Sequence, residues 1–289
     1  MLIRRAEVDG RIVDVRCDAG RIMAIENALA PGRDEVVLEA AGGALIPGLH
    51  DHHLHLYALA ASATSIDCGP PRVADAEALA RALRAGPVVD GWRRGTGYFE
   101  SVAGPLDRRR LDALAPDGPL RIQHRSGVAW FLNSAAIAAL GIDETVDETV
   151  AATPRDDFAV LERDAAGRAT GRLFRADAWL RARLPATVPP DHSAAGRRLA
   201  RFGVTGVTDA TVTNDLAQAE RFRAAQRSGA LPQRIELMGD ASLAALSADA
   251  VLGDPRLSVG ARKFLLDEPA LPDFDALVAE IAATHRSGR

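Results

Sequence analysis

The last third of the chain alternates apolar runs with helical patterns, and this alternation limits the folds that the sequence can adopt. Strands that alternate with helices of about ten residues are typical of βαβ units, in which neighbouring strands are parallel. We therefore predict an α/β fold built on a parallel sheet or barrel. In chain order, the helical patterns and apolar runs cover residues 194–202, 203–210, 216–228, 234–238, 243–252, 257–266 and 274–285.

The N-terminal region shows a different pattern. In residues 2–46, short β-type runs are separated by Asp9-Gly10, Ala19-Gly20 and Pro31-Gly32, which are typical turn sequences. This spacing predicts the antiparallel hairpins of a small sheet. Residues 75–195 mix helical patterns with stretches rich in glycine, proline and charge, and we predict that they form an insertion.

The length of the strand–helix region predicts half of a barrel. Without residues 75–195, the part of the chain from Ala44 onward has about 125 residues. At about 30 residues for each βα unit, this length accommodates four units and not eight. The last helical pattern is followed by Gly288, where a C-cap glycine belongs, and then by the end of the sequence. We therefore expect this chain to be the N-terminal part of a longer barrel.

A histidine cluster follows the apolar run Ala44-Leu45-Ile46. Four of the seven histidines fall within the six residues His50-Asp51-His52-His53-Leu54-His55. Alternate residues of a strand share a face, so His53 and His55 point to one side and His50 and His52 to the other. Two imidazoles at this spacing can bind one divalent ion. Strand alternation alone does not choose between the two pairs.

One basic residue stands apart in composition. Of the 35 basic residues, only Lys263 is a lysine, and the other 34 are arginines. A coding bias explains the excess of arginine, but it also leaves a single position for chemistry that arginine cannot perform. A desolvated lysine can lose its proton and act as a nucleophile, whereas a guanidinium stays charged. Lys263 is therefore a candidate functional residue.

The segment Pro47-Gly48-Leu49-His50-Asp51-His52-His53-Leu54-His55 resembles the PGxxDxHxH signature of the amidohydrolase superfamily. Other stretches resemble the amidohydrolase-3 group, which includes YtcJ-like proteins and N-substituted formamide deformylases. The resemblance covers nearly the whole chain. The stretches that carry it are Trp92–Tyr98, His124–Ser134, Gly167-Arg168 with Gly171-Arg172, Gly203–Asp209 and Arg262–Phe264.

The resemblance implies a (β/α)8 barrel of the TIM type with a small flanking β-sandwich. It selects His53 and His55 as metal ligands from strand 1, and it places Lys263 at the end of strand 4 as a carboxylated lysine that bridges two metal ions. The implied division of the chain is 1–46 as part of the sandwich, 47–74 as strand 1 and the segment after it, 75–195 as the inserted subdomain, and 196–289 as strands 2–4.

The same resemblance places the remaining catalytic parts on strands 5, 6 and 8, which this sequence lacks. They are two histidines and an aspartate that acts as the general base. We therefore assign no catalytic base within these 289 residues, and we expect the chain alone to be incomplete for catalysis. His192 and His285 lie outside the predicted strands and do not replace the absent histidines.

Three further residues are weaker candidates. Asp209 ends the predicted strand 2, where its carboxylate could orient a ligand histidine or cap the next turn. His124 and Trp130 could line the substrate pocket from the insertion, or they could pack in its core.

The expected function is the metal-dependent hydrolysis of carbon–nitrogen bonds other than peptide bonds, in small amides, formamides or cyclic amides. Zinc is the expected metal, although iron and manganese accept the same ligands. The alternative is a truncated, non-catalytic half-barrel that acts only through association, and the open edges of such a half-barrel favour self-association.

Composition limits the partners of the chain. The net charge of −4 argues against nucleic acid, and no apolar run approaches the roughly 18 residues of a membrane span. The N-terminus has no apolar segment typical of a secretion signal. Cys17 and Cys68 lack CxxC spacing, which favours a reduced, cytoplasmic protein.

Overall fold

The computed structural model describes residues 1–115, 117–142, 160–185, 189–245, 255–266 and 271–288. The chain divides into two compact units, Met1–His50 and Asp51–Arg289. Within the part of the chain described here, no helix is both long enough and apolar enough to cross a membrane.

The first unit is a four-stranded sheet with the order β3-β2-β1-β4. The pairs β1–β2 and β2–β3 are antiparallel, whereas β4 pairs with β1 in parallel. Both hairpin turns, Asp9-Gly10 and Ala19-Gly20, have positive φ at their two central residues, which suits the right-handed twist of paired strands. The strands are β1 (Leu2–Val8), β2 (Arg11–Asp18), β3 (Arg21–Glu26) and β4 (Val37–Glu39).

The histidine cluster occupies strand β5 (Leu49–Leu54), and helix α1 (Leu56–Ser62) begins directly after His55. The polypeptide then enters a six-stranded mixed sheet with the order β10-β11-β9-β8-β7-β6. Its strands are β6 (Ile66–Asp67), β7 (Arg93–Tyr98), β8 (Leu120–His124), β9 (Ala129–Leu132), β10 (Val160–Arg163) and β11 (Ala169–Phe174). Its helices are α2 (Ala76–Ala85), α3 (Glu100–Ala103), α4 (Arg108–Leu114), α5 (Ser134–Ala139) and α6 (Asp177–Arg183).

After the mixed sheet, the predicted alternation of helices and strands appears. The strands β12, β13 and β14 pair in parallel, and β5 lies beside β12, so the sheet order is β14-β13-β12-β5. The described strands do not close into a barrel. The elements are α7 (Ser193–Arg201), β12 (Val204–Asp209), α8 (Leu216–Arg227), β13 (Arg234–Gly239), β14 (Leu257–Arg262) and α9 (Phe274–Arg286).

Buried apolar side chains hold this parallel sheet against its helices. Leu56 of α1, Val207 of β12, Phe222 of α8 and Ile235 of β13 belong to one buried cluster. In β13 the buried side chains are apolar, whereas β12 buries Val207 together with the polar Thr208 and Asp209.

Three sequence predictions are not matched in full: a helix and a strand differ from the structure, and a loop lies outside the described residues. The helix predicted over 243–252 overlaps only a short 3-10 helix, Ala241–Ala245, and residues 246–254 lie outside the described part of the chain. The loop predicted over 143–154 also lies outside it. The predicted strand over 257–266 is shorter than expected and ends at Arg262.

Candidate metal centre

The two histidines selected by the signature lie together where β5 ends. The ring centres of His53 and His55 are 5.4 Å apart, and the rings are nearly perpendicular. The backbone N–H of His53 donates a hydrogen bond of 3.0 Å to Oδ1 of Asp51. Metal–nitrogen bonds are about 2.0–2.1 Å long, so two imidazoles at this separation can reach a single ion.

The ring of His55 is held by a residue that follows β12. A hydrogen bond of 2.9 Å joins Nδ1 of His55 to the hydroxyl oxygen of Thr211. When Nδ1 carries the proton and donates it to this oxygen, Nε2 presents its lone pair away from Thr211. Such a contact fixes both the tautomer and the orientation of an imidazole that binds metal.

Asp209 is buried at the end of β12 and binds backbone groups on both sides of the His55 contact. Its Oδ2 accepts a hydrogen bond from the backbone N–H of Leu56 at 2.8 Å, and its Oδ1 accepts one from the N–H of Thr211 at 3.0 Å. The N–H of Ala210 also donates to the carbonyl oxygen of Leu54 at 2.8 Å. The ends of β5 and β12 are therefore tied together. Asp209 thus caps the turn after β12. It also binds Leu56, which follows His55 in the chain, and Thr211, whose hydroxyl contacts the His55 ring.

Asn214 extends the same network to β13. Its side-chain amide donates to Oδ1 of Asp209 and to the carbonyl oxygen of Met238, each at 2.9 Å. Gly239 is required beside it, because a Cβ at that position would lie 2.4 Å from the carbonyl oxygen of Asn214. Neither Thr211 nor Asn214 was predicted from the sequence, although polar residues directly after a parallel strand are a signal that could have identified them.

Lys263 follows the last residue of β14, and its backbone N–H donates to the carbonyl oxygen of Gly239 at 3.0 Å. The lysine is half-buried and lies near enough to His55 for its charge to affect the imidazole. The structure therefore places His53, His55, Asp209 and Lys263 at or near the carboxyl ends of strands of one sheet, whose order is β14-β13-β12-β5.

The charges and the burial around His55 favour its neutral form. Loss of water around part of the ring lowers the pKa of His55 below its ordinary value of 6.5; Asp209 raises it, and the charges of Lys263 and His53 lower it. A neutral imidazole is the form that binds metal, so this environment suits a ligand. Among the described residues there is no group of three or more His, Cys, Asp or Glu side chains that could hold a metal ion. The site thus offers two imidazoles and one lysine.

The other two candidates lie in the mixed sheet. Nδ1 of His124 is 2.7 Å from the hydroxyl oxygen of Ser126, and its Nε2 is 3.2 Å from Oε2 of Glu100. Nε1 of Trp130 donates to Oδ1 of Asp177 at 3.0 Å. Within the described part of the chain, neither residue contacts His53, His55 or Lys263, and Trp130 is buried in an apolar cluster.

A match to a family model relates this chain to known proteins. Residues 36–287 match the model of the amidohydrolase family, and this span includes the whole parallel sheet. The chain belongs to the amidohydrolase family. His53 and His55 lie within the matched span.

Two curated proteins are similar in sequence to this chain. An N-substituted formamide deformylase of Arthrobacter pascens is 33% identical over 231 residues, which are 72% of this chain and 39% of the deformylase. The putative amidohydrolase YtcJ of Bacillus subtilis (strain 168) is 31% identical over 150 residues, 50% of this chain and 26% of that protein. The chain thus spans less than half the length of either relative.

Two solved structures share the fold. An uncharacterized metal-dependent hydrolase from Pyrococcus horikoshii OT3 superposes with a TM-score of 0.62 at 17% identity, over 99% of this chain and 62% of its own. A second such hydrolase, from Pyrococcus furiosus, gives a TM-score of 0.59 at 18% identity, with 89% and 53% covered. At these identities the similarity concerns the α/β fold alone.

Proposed function

We propose that this amidohydrolase chain carries the metal-binding part of a hydrolase site for carbon–nitrogen bonds other than peptide bonds. Amides, formamides and cyclic amides are the proposed substrates. The observation that carries the proposal is that His53 and His55 lie together where β5 ends, while Lys263 follows β14 at the carboxyl end of the same sheet. The names of the curated relatives, a formamide deformylase and a putative amidohydrolase, support the bond type.

In this proposal His53 and His55 are the first two metal ligands, and Thr211 orients His55 through its hydroxyl group. A divalent metal, with zinc as the first choice, would lower the pKa of a coordinated water and polarise the scissile carbonyl. Lys263 is the proposed third ligand. Its neutral amine can add carbon dioxide and release one proton, which converts the amine into a carbamate with two oxygen donors.

The general base has no assigned residue in this chain. Proton transfer by a positioned base contributes typically about 10²–10⁴-fold to a rate. We therefore propose that Asp209 is a positioning residue, because its carboxylate already accepts backbone hydrogen bonds from Leu56 and Thr211. A residue with both oxygens engaged in this way holds the site rather than accepting a proton from water.

We also propose that the four-stranded parallel sheet is an arc of a (β/α)8 barrel. Three features support this: the sheet order follows the chain order, β12–β14 are parallel, and the TM-scores of 0.62 and 0.59 relate the fold to two hydrolase structures. The ligands then lie at the carboxyl ends of the strands, where sites of barrel enzymes are found.

The proposal is tested by hydrolysis assays on the natural gene product that contains these 289 residues. Release of amine and formate from a formamide, release of amine from a linear amide, and ring opening of a hydantoin to the carbamoyl amino acid are measured after loading with zinc, manganese or iron. We expect metal-dependent turnover on at least one substrate, with a loss of at least about 100-fold in His53→Gln and in Lys263→Arg. His285→Gln, an exposed position near the end of α9, is the control and should retain full activity.

Hydrolysis that both substitutions leave unchanged would contradict the proposal. No turnover on any of the three substrates, with metal binding intact, would instead favour the alternative of a non-catalytic protein that acts through association.

A further inference from the structure

Two arginines of the mixed sheet lie side by side on one face. Arg94 of β7 and Arg121 of β8 are direct partners in the parallel register of these strands. Both guanidinium groups pack on the buried ring of Trp130, with their carbon atoms 5.9 Å and 5.5 Å from its centre. Because paired residues of adjacent strands share a face, the register of the sheet places the two positive charges next to each other.

The hydrogen bonds of this pair leave Arg121 unsatisfied. Arg94 donates to the carbonyl oxygen of Ala61 at 3.3 Å and to the hydroxyl of Ser65, so it caps the C-terminal end of α1. The Nε atom of Arg121 is buried and has no hydrogen-bond partner within the described residues. No carboxylate in the described part of the chain forms an ion pair with Arg121.

One oxygen of the carboxylate whose charge acts on Arg94 already accepts hydrogen bonds from other donors. Asp177 at the start of α6 accepts the hydrogen bond of Trp130 Nε1, and the amide of Gln123 lies 3.5 Å from the same oxygen. The site therefore contains two guanidinium groups and one carboxylate that serves other donors. Burial lowers the pKa of Arg121 to about 10, with a further contribution from the charge of Arg94. Burial also lowers the pKa of Arg94, although the charge of Asp177 raises it. This local excess of positive charge would be balanced by a bound anion.

We propose that Arg94 and Arg121 form a binding site for the oxyanion of a small molecule, a carboxylate or a phosphate. Each guanidinium presents a planar fork of donors that matches two oxygens of such a group. Both side chains are half-buried, so each still reaches solvent. The site is separate from the proposed metal ligands, since Arg94 contacts the last turn of α1 whereas His55 precedes its first turn. Six residues of helix separate these ends by about 9 Å.

The chain contains a matched control for the stacking alone. The guanidinium of Arg183 lies 4.1 Å from the ring centre of Trp179, another buried tryptophan, but Arg183 itself is exposed. Arg183→Gln therefore removes an arginine–tryptophan stack without changing the paired arginines. Arg121→Gln removes one charge of the proposed site, and Arg121→Lys keeps the charge but removes the fork of donors.

The test is a titration of the full chain with inorganic phosphate and, separately, with acetate, at constant ionic strength and pH 7. Binding is followed by tryptophan fluorescence and by the shift of the melting temperature. We expect saturable binding of at least one probe, weakened at least about tenfold in Arg121→Gln and unchanged in Arg183→Gln. Circular dichroism verifies folding; if Arg121→Gln is unfolded, Arg121→Lys decides, and it should bind more weakly than the wild type.

The stronger of the two probes identifies the source of the oxyanion, phosphate or carboxylate. Saturable binding of neither probe would overturn the proposal. Equal weakening in Arg121→Gln and Arg183→Gln would also overturn it, because the arginines would then act only by stacking on tryptophan.

Discussion

Asp209 and Leu56 are 153 positions apart in the chain, yet Oδ2 of Asp209 accepts the backbone hydrogen bond of Leu56 at 2.8 Å. The other carboxylate oxygen accepts the N–H of Thr211, whose hydroxyl binds the ring of His55. The buried carboxylate of Asp209 therefore binds both Leu56, which follows His55, and Thr211, whose hydroxyl contacts the His55 ring.

The first prediction concerns this carboxylate. Asp209→Asn replaces one acceptor oxygen by an NH2 group that faces backbone donors, so the free energy of unfolding should fall by about 1–3 kcal/mol. Asp75→Asn is the control, because Asp75 accepts the N–H of Ala78 as an exposed N-cap, where asparagine caps equally well. Thermal and urea unfolding measure both variants. Equal losses in the two proteins would refute a special role for Asp209.

The second prediction concerns Thr211. Thr211→Val retains the shape of the side chain but removes the oxygen that binds Nδ1 of His55. Affinity for zinc, measured by calorimetry, should fall about 10–100-fold, as found when outer-shell partners of metal ligands are removed. Thr211→Ser keeps the hydroxyl and should stay near the wild-type affinity. Indistinguishable affinities of the valine and serine variants would show that this contact does not orient the ligand.

The third prediction concerns the buried His192. It precedes α7, its ring packs against Tyr57 and Phe222, and its Nε2 has no hydrogen-bond partner within the described residues. Burial lowers the pKa of His192 below 6.5, although the charges of Asp191 and Asp209 raise it. The N-terminal end of a helix also disfavours a cation.

The native state consequently binds fewer protons at His192 than the unfolded state does. The stability from neutral His192 is complete above the unfolded pKa of 6.5 and is lost as the pH falls towards the lower native pKa. His192→Phe should therefore show a shallower loss of unfolding free energy between about pH 7 and pH 5. His285→Gln, which changes an exposed histidine, should match the wild-type slope. Identical slopes in all three proteins would exclude this titration.

The fourth prediction concerns association. β14 is an edge strand of the parallel sheet, and the residues after it, Leu265 and Leu266, are 71% and 51% exposed. Unpaired strand edges beside apolar side chains favour pairing with another chain. We expect the purified 289-residue chain to elute above its 30.6 kDa monomer mass in size-exclusion chromatography with light scattering. Leu265→Lys should shift it towards monomer, whereas Phe202→Lys, at the end of α7, should not. A monomeric wild type would contradict this expectation.

Much of the parallel sheet could be predicted from sequence, because strand and helix periods are local. The helix predicted over 274–285 is observed as Phe274–Arg286, and the strand predicted over 203–210 as Val204–Asp209. The turns at Asp9-Gly10 and Ala19-Gly20 could also be predicted, since each needs two residues with positive φ. The parallel pairing of β4 with β1 could not, because it depends on the path of the chain between them.

Only part of the candidate site could be predicted from the sequence. The resemblance to the PGxxDxHxH signature selects His53 and His55 as candidate metal ligands, and composition makes Lys263 a candidate. The position of Thr211 and Asn214 after a parallel strand could have marked them as candidates, but their partners could not be predicted, because these partners lie on β5 and β13, which are remote in sequence. The environment of Trp130 also could not be predicted from the sequence, since Arg94, Arg121 and Asp177 contact it only through strand register and helix packing.

We propose that His53 and His55 share one metal ion, and a zinc titration of three proteins tests this proposal. They are the wild type, the double variant His53→Gln/His55→Gln, and the matched double variant His50→Gln/His52→Gln from the same strand. We expect zinc affinity to fall at least about 100-fold in the first double variant and to change less than about threefold in the second. Loss of zinc binding in the His50/His52 variant with full binding in the His53/His55 variant would contradict it.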